Sequence, residues 1–431
     1  MVGRVRPTNA ATYTSNRAVS TGTIGFVEEK ASRRQFIAAG ALGLGATLGA
    51  GMPAPDAAEA APSGRRVPFY GAHQAGIATP TQEHVHFLAL DVVSDAVSDL
   101  RGLLELLSGA AARLTSGEPV GALRTGAAAP VDTGEAIGLP PSRLTITIGL
   151  GPGVFQPNRF GLQARRPAPL VELPSFANDS LQDGICHGDI AVQACADDPQ
   201  VAFHAVHDLI RLASPVAVPR WALAGFSRTL NTAGQATPRN LFGFKEGTAN
   251  IVGQDQAALQ RFVWAGSPES PAWMAGGSYM VVRRIQMLLH QWDSISLDQQ
   301  ERTFGRHKLS GAPLGQRHEH DPIDLTAISH GHLAISRLAH IRLASPAENN
   351  GERILRRGYH YSEGLDAGAA AAGQLFICFQ RDPRAQFIPM QTRLALNDLL
   401  NEHTMHIGSA IFACPPGAGG GSFVGEGLFS R

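Results

Sequence analysis

Apolar positions along the chain fall into short runs with two distinct periods. Residues 85–93 (VHFLALDVV) are strand-like and partly alternating, and residues 94–107 follow with Val97, Leu100, Leu103, Leu104 and Leu107 at helical spacing. Residues 144–150 (LTITIGL) alternate Thr with Leu and Ile, which predicts a strand, and Gly151-Pro152-Gly153 ends it. Residues 190–194 predict another strand. Residues 199–212 predict an amphipathic helix with Val201, Val206, Leu209 and Ile210 turned inward. Strand, helix, strand, strand, helix is a ferredoxin-like order. The second half repeats the rhythm without a residue-level repeat. A long strand is predicted over 278–290, a helix over 296–304, a buried strand over 375–379 (LFICF), a helix over 394–403 and a last strand over 407–413. Residues 215–235 read as a connector, and residues 417–421 as a flexible glycine stretch.

The first 60 residues do not follow this pattern. Ser32-Arg33-Arg34-Gln35-Phe36-Ile37 precedes a weakly apolar Gly/Ala run over 38–51, and Ala58-Glu59-Ala60 offers a small-residue cleavage site. Basic region, apolar middle and cleavage site make a secretory signal, and the paired arginines resemble a twin-arginine (Tat) signal. The run is too short and too rich in Gly and Ala for a stable membrane span. The expected organisation is therefore a leader over 1–60, an N-terminal domain over 61–225 and a C-terminal domain over 226–431. The expected location is periplasmic or extracellular, with the Tat export machinery as a partner. That route carries folded proteins, so a large cofactor is compatible with it.

Composition narrows the function. The 431 residues carry 36 Lys+Arg and 36 Asp+Glu, and 44% are hydrophobic. That is enough apolar content for a large core, and the absence of a basic excess argues against nucleic acid as a partner. Four Cys without a Cys-x-x-Cys exclude a disulfide scaffold, a zinc ribbon and covalently attached c-type haem. Cys186 and Cys195 are a conceivable pair after export, but nothing in their spacing compels it. All sixteen His lie beyond residue 60.

The residues that carry chemistry lie in the second half. In residues 240–250 (NLFGFKEGTAN), two glycines flank a Phe-Lys-Glu trio without helical periodicity. Gly247 suggests a left-handed turn or a close backbone approach, and local chemistry alone favours reading the segment as a surface turn. His340 stands among apolar residues in SRLAHIRLASP, as a haem ligand or a satisfied core histidine would. Arg353, Arg356 and Arg357 surround aliphatic residues in RILRRGY, as on a solvated face or at a propionate site.

In order and spacing, the glycine-flanked carboxylate, HIRLASP and ILRRGY resemble the dye-decolorising peroxidases. The similarity is to the Tat-exported bacterial branch that includes deferrochelatase/peroxidase proteins. It extends through FYGAHQAGIATP, LTITIGLGPGVF, GDIAVQACADDPQVAF, TFGRHKLSGAPL and GSAIFACPP, from Phe69 to Pro416. The resemblance implies an α+β fold of two ferredoxin-like domains, each an antiparallel sheet with helices packed on it. One non-covalent haem b per chain would be held mainly by the C-terminal domain. His340 matches the axial iron ligand, Arg356 the distal arginine, and residues 243–247 the Gly-x-x-Asp-Gly signature. Gly247, Thr248 and Ala249 fall where the family's backbone packs on haem. Ser345, Pro346 and Ala347 fall in the stretch after the histidine, where relatives often carry Asn-Pro-Arg. Arg342 and Arg306 are candidates for the propionates, and Asp398 for the carboxylate behind the histidine. The departure is Glu246, which stands where the family has aspartate and adds one methylene.

The activity implied is reduction of hydrogen peroxide and oxidation of dyes, phenols or other bulky small-molecule reductants through a ferryl intermediate. Glu246 would be the acid/base and Arg356 the charge stabiliser, an arrangement that favours acidic conditions. Bulky reductants would need a surface relay, for which Trp221, Trp264, Trp273, Trp292, Tyr359 and Tyr361 are candidates. Two other readings share the pocket. One is a deferrochelatase that releases iron from haem alongside iron-uptake partners; the other is a non-enzymatic haem carrier. A homo-oligomer is compatible with all three.

Overall fold

A computed structural model describes residues 65–122, 129–228, 237–366 and 369–430. The leader with its twin arginines lies outside the described residues. The strands are β1 (His84–Val92), β2 (Thr145–Leu150), β3 (Ile190–Ala196), β4 (Ala217–Phe226), β5 (Ser278–Met287), β6 (Ile328–Ser329), β7 (His332–Leu333), β8 (Leu355–Arg356), β9 (Tyr359–Asp366), β10 (Ala369–Gln380) and β11 (Thr404–Cys414). The helices are α1 (Val97–Thr115), α2 (Pro199–Ala213), α3 (Gln256–Phe262), α4 (Leu289–Ser294), α5 (Leu297–Phe304), α6 (His340–Leu343) and α7 (Phe387–Asn397).

The fold is α+β and consists of two ferredoxin-like halves. In the first, the strands lie in the order β4-β1-β3-β2, all neighbours antiparallel. In the second the order is β9-β10-β5-β11, again antiparallel, with β8 extending the β9 side. One residue pair joins β2 to β11 (Leu150–Ala413) and one joins β4 to β9 (Phe226–His360). Because β5 also pairs with β10, the nine strands close on themselves.

Period two in the strands sorts side chains between two cores. On β1, Val85, Phe87 and Ala89 face inward between the two sheets, beside Trp221, Met280, Ile377 and Phe412. Leu88, Leu90 and Val92 face outward under α1 and α2. Strands buried on both faces account for unbroken runs such as HFLAL and LFICF, whose continuity hides the alternation.

Three predicted elements differ from those observed. The predicted connector contains β4, which is interrupted by Pro219. The β1–β4 register shifts beside that proline, between Ala89 and Leu90, a position where a missing N–H is tolerated. The predicted strand over 278–290 ends at Met287, and α4 begins at Leu289. The predicted helix over 394–403 begins earlier, as α7 at Phe387, and breaks at Asp398 into a 3₁₀ turn, Leu399–Glu402. The four cysteines are buried and free, so Cys186 and Cys195 are unpaired. Among the described residues, no helix is long and apolar enough to cross a membrane.

Candidate functional site

The second half packs its helices and loops around a cavity of about 250 Å³ lined by both His340 and the Glu246 segment. His340 is placed by two helix ends. Helix α5 starts with a capping box, in which Ser296 and Gln299 satisfy each other's backbone N–H groups, and stops at Gly305 with φ +84°. A side chain at Gly305 would come 2.8 Å from Ile341, so this glycine also lets α6 approach. The Phe304 ring then stands edge-on to the His340 imidazole, with centroids 6.0 Å apart.

Behind the imidazole is Asp398, whose side chain is 3% exposed. Its Oδ2 lies 2.6 Å from His340 Nδ1, and its Oδ1 accepts the Leu400 N–H at 2.9 Å. The break after α7 is thus a cap, and the capping carboxylate also holds the ring. With Nδ1 donating to Asp398, His340 Nε2 is left as a lone-pair donor.

Glu246 and Arg356 line the same cavity. Glu246 Oε1 accepts a hydrogen bond of 2.5 Å from Gln374 Nε2 on β10. Gly358 makes room for this pair, since a Cβ there would sit 2.8 Å from Gln374 Nε2. Burial lowers the pKa of nearby His360, against the opposing influence of the Glu246 carboxylate. Asn250 clamps the Arg356 backbone, donating to its carbonyl at 2.7 Å and accepting its N–H at 2.9 Å. Among the described residues, the Arg356 guanidinium makes no hydrogen bond or ion pair, although it borders a cavity.

The remaining predicted residues divide into two groups. Gly247 (φ +101°), Thr248, Ala249, Arg306, Ser345 and Pro346 all line the cavity. Ala347 lines an adjoining hollow that shares Thr248, Ala249, Arg306, Ser345 and Pro346 with the first. Arg306 is buried and bonds the carbonyls of Gly311 and Glu319 at 2.7 and 3.2 Å. Burial pushes its guanidinium pKa down, Glu319 opposes this, and Arg356 adds to it. Ser345 Oγ is buried without a hydrogen-bond partner. Arg342 is not brought to the cavity. It turns away to the carbonyls of Leu325 and Ile335 and to Glu348, because α6 points the side chain two residues after His340 in another direction.

The six relay candidates are all core residues, from Tyr359 at 0% exposed to Trp273 at 8%. Trp292 packs with Phe242, Phe244, Met287 and Phe304 beside the histidine. None of the six is a surface relay.

Several site residues had no sequence signal. Gln374 is 128 positions from Glu246. Glu319 accepts from Thr237, Lys245 and Thr248, which ties the loop beyond Gly311 to the Phe-Lys-Glu segment. Burial alone would raise the Glu319 carboxyl, but these bonds bring its pKa down to about 2. Deeper in the cavity wall, Arg283 is fully buried, bonded to Asp179 and to Ser409. Burial and this cation hold His406 neutral, with a pKa of about 3.

Comparisons with known proteins agree with this architecture. The model of the Dyp-type peroxidase N-terminal domain matches residues 74–227, and that of the C-terminal domain residues 237–419. A deferrochelatase of Escherichia coli O157:H7 is 37% identical over 403 residues, spanning 91% of this chain and 95% of its own. Ferric DtpA from Streptomyces lividans is 40% identical, with a TM-score of 0.81 over 86% of this chain and 99% of its own. A DyP-type peroxidase from Cellulomonas bogoriensis is 41% identical, with a TM-score of 0.79 over 86% of this chain and all of its own. Two domain matches in sequence order, and relatives covered almost end to end, place the chain in the Dyp-type peroxidase family.

Proposed function

We propose that the protein is a haem-dependent peroxidase that reduces hydrogen peroxide and oxidises small-molecule reductants, with His340 as axial ligand. The observation that carries this reading is the 2.6 Å His340–Asp398 contact in a cavity that also holds Glu246 and Arg356, whose guanidinium has no partner among the described residues. The donor set suits non-covalent haem b. An imidazole has its Nδ1 committed and its Nε2 free. The walls include Ile285, Phe304, Phe376 and Leu394, and Arg306 and the orphaned Ser345 hydroxyl offer polar contacts at the rim. The ferric Streptomyces lividans relative supports an iron cofactor.

Bound haem would supply the iron at which the peroxide O–O bond is cleaved. The protein's part is proton handling and charge. Gln374 occupies Glu246 Oε1, which leaves Oε2 to take a proton from one peroxide oxygen and return it to the other. Arg356 cannot lose its proton, so it offers a fixed positive charge to the departing oxygen. The Gln374 bond also anchors the longer glutamate, which offsets the extra methylene relative to aspartate. Hemin titration of the purified protein tests the reading. A Soret band that saturates at one equivalent, lost in His340→Ala, is expected; equal uptake by the variant would defeat it.

A second reading rests on the deferrochelatase relatives, which are 37–39% identical. Iron release needs the same pocket, and product analysis separates the two: intact protoporphyrin after haem loading supports iron release. We also propose Tat-dependent export, as the Arg33-Arg34 pair supports. Replacing both arginines by lysine is expected to retain the protein in the cytoplasm.

A further inference from the structure

A second cluster lies outside the cavity, where α2 meets residues 131–136. His204 and Asp208 are one turn apart on α2, and both face Asp132. His204 Nε2 is 3.4 Å from Asp208 Oδ2 and 3.7 Å from Asp132 Oδ2. The two aspartate side chains are fully buried, and that of His204 is 6% exposed. One ligand atom from each of the three lies within 4.8 Å of the others.

The surrounding bonds hold the three side chains in place. Asp132 Oδ1 accepts from the Gly134 N–H and its Oδ2 from the Val120 N–H, both at 2.8 Å. Asp208 Oδ1 accepts from the Thr133 N–H at 3.0 Å. His204 Nδ1 is 2.8 Å from Glu135 Oε2, and His207 Nδ1 is 2.6 Å from Glu135 Oε1. Thr133 Oγ1 completes the group, bonded to Glu135 Oε2 and 3.2 Å from His204 Nδ1. Glu135 thus holds both imidazoles through their Nδ1 atoms. The opposite ring nitrogen of His204, Nε2, faces the two aspartates.

Asp208 Oδ2 is buried and, among the described residues, has no hydrogen-bond partner. One ring nitrogen and two carboxylate oxygens converge at a buried point, a donor set that suits a cation. The spacing suits one: ligands about 2.0–2.1 Å from a tetrahedral metal lie roughly 3.3–3.4 Å apart. The Glu135–His204 bond is the support that metal-binding imidazoles use to fix their tautomer.

We propose that Asp132, His204 and Asp208 bind a divalent cation of the zinc class, with Glu135 orienting His204. Two carboxylates neutralise the cation, which fastens residues 131–136 to α2. None of these residues lines the His340 cavity, so the site is independent of the haem reading.

Metal content and Zn²⁺ titration of the untagged full chain test it. After chelation, the wild type is expected to take up one Zn²⁺ per chain and to melt at a higher temperature with Zn²⁺ than without. Asp208→Asn keeps an oxygen for the Thr133 N–H and is expected to bind at least a hundredfold more weakly. Glu135→Gln is expected to lose ten- to a hundredfold, as supporting carboxylates of metal ligands do. Failure of the wild type to take up Zn²⁺, or equal uptake by Asp208→Asn, overturns the proposal. Should Asp208→Asn not fold, the wild-type stoichiometry and melting shift decide it, with Glu135→Gln as the variant.

Discussion

Asp398→Asn probes the link between local structure and iron chemistry. The carboxylate serves two donors at once, His340 Nδ1 at 2.6 Å through Oδ2 and the Leu400 N–H at 2.9 Å through Oδ1. A carboxamide has one oxygen, so one donor must face an NH₂ group. The charge is lost in either orientation. A hydrogen bond to a charged partner contributes about 1.5–3 kcal/mol and a neutral one about 0.5–1.5. The imidazole therefore loses about 1–1.5 kcal/mol of support, close to a tenfold change. Weaker polarisation makes His340 a poorer donor. Hemin affinity is predicted to fall roughly 10–100-fold. If the loss falls mainly on the ferric form, the reduction potential rises by about 60 mV, the one-electron equivalent of a tenfold change. Competitive hemin transfer and spectroelectrochemistry read the two quantities. Asp398→Ala removes the cap outright and should cost about 1 kcal/mol of additional stability. If Asp398→Asn folds, and both affinity and potential stay within twofold of wild type, the carboxylate does not act on the imidazole and the reasoning fails.

Other predictions address separate parts of the site. Arg356→Leu is expected to slow peroxide turnover by roughly 10²–10³-fold and to spare hemin affinity; stopped-flow mixing with peroxide checks this, and unimpaired turnover refutes it. Glu319, with its pKa lowered from 4.5 to about 2, contributes stability that is present above pH ~5 and is lost as pH falls toward 2. Glu319→Gln should cost on the order of 2–3 kcal/mol near pH 7, and its urea midpoint should converge with that of wild type as the pH approaches 2; a pH-independent gap refutes it. Asp179→Ala strands the fully buried Arg283 and is expected to cost about 3–5 kcal/mol, measured by denaturant midpoint. Gly358→Ala pushes a methyl group against Gln374 and should lower peroxide turnover more than hemin affinity.

Much of this protein is legible in the order of its residues. The alternation over 144–150 and the helical spacing over 199–212 predict β2 and α2 closely; α2 buries the face its spacing marks, and the threonines of β2, buried as well, are satisfied by Gln82 and the Ala75 carbonyl. The motif residues His340, Glu246 and Arg356 are identifiable because each sits in a short segment whose neighbours line the same cavity. Other parts were hidden. β4 carries a proline that its bulge accommodates, and its exposed positions imitate a linker. The pairing of Gln374 with Glu246, the dual use of Asp398 and the meeting of Asp132 with α2 join residues 58 to 128 positions apart. Local periodicity has no term for such distances. They are set by which strands adjoin in the closed sheet and by where helices end against it. Sequence alone therefore determined most of the element types, the family resemblance and the candidate residues of the site. The tertiary structure decided which of those groups share a cavity, which arginines turn away from it and which carboxylates hold an imidazole, because each depends on long-range packing.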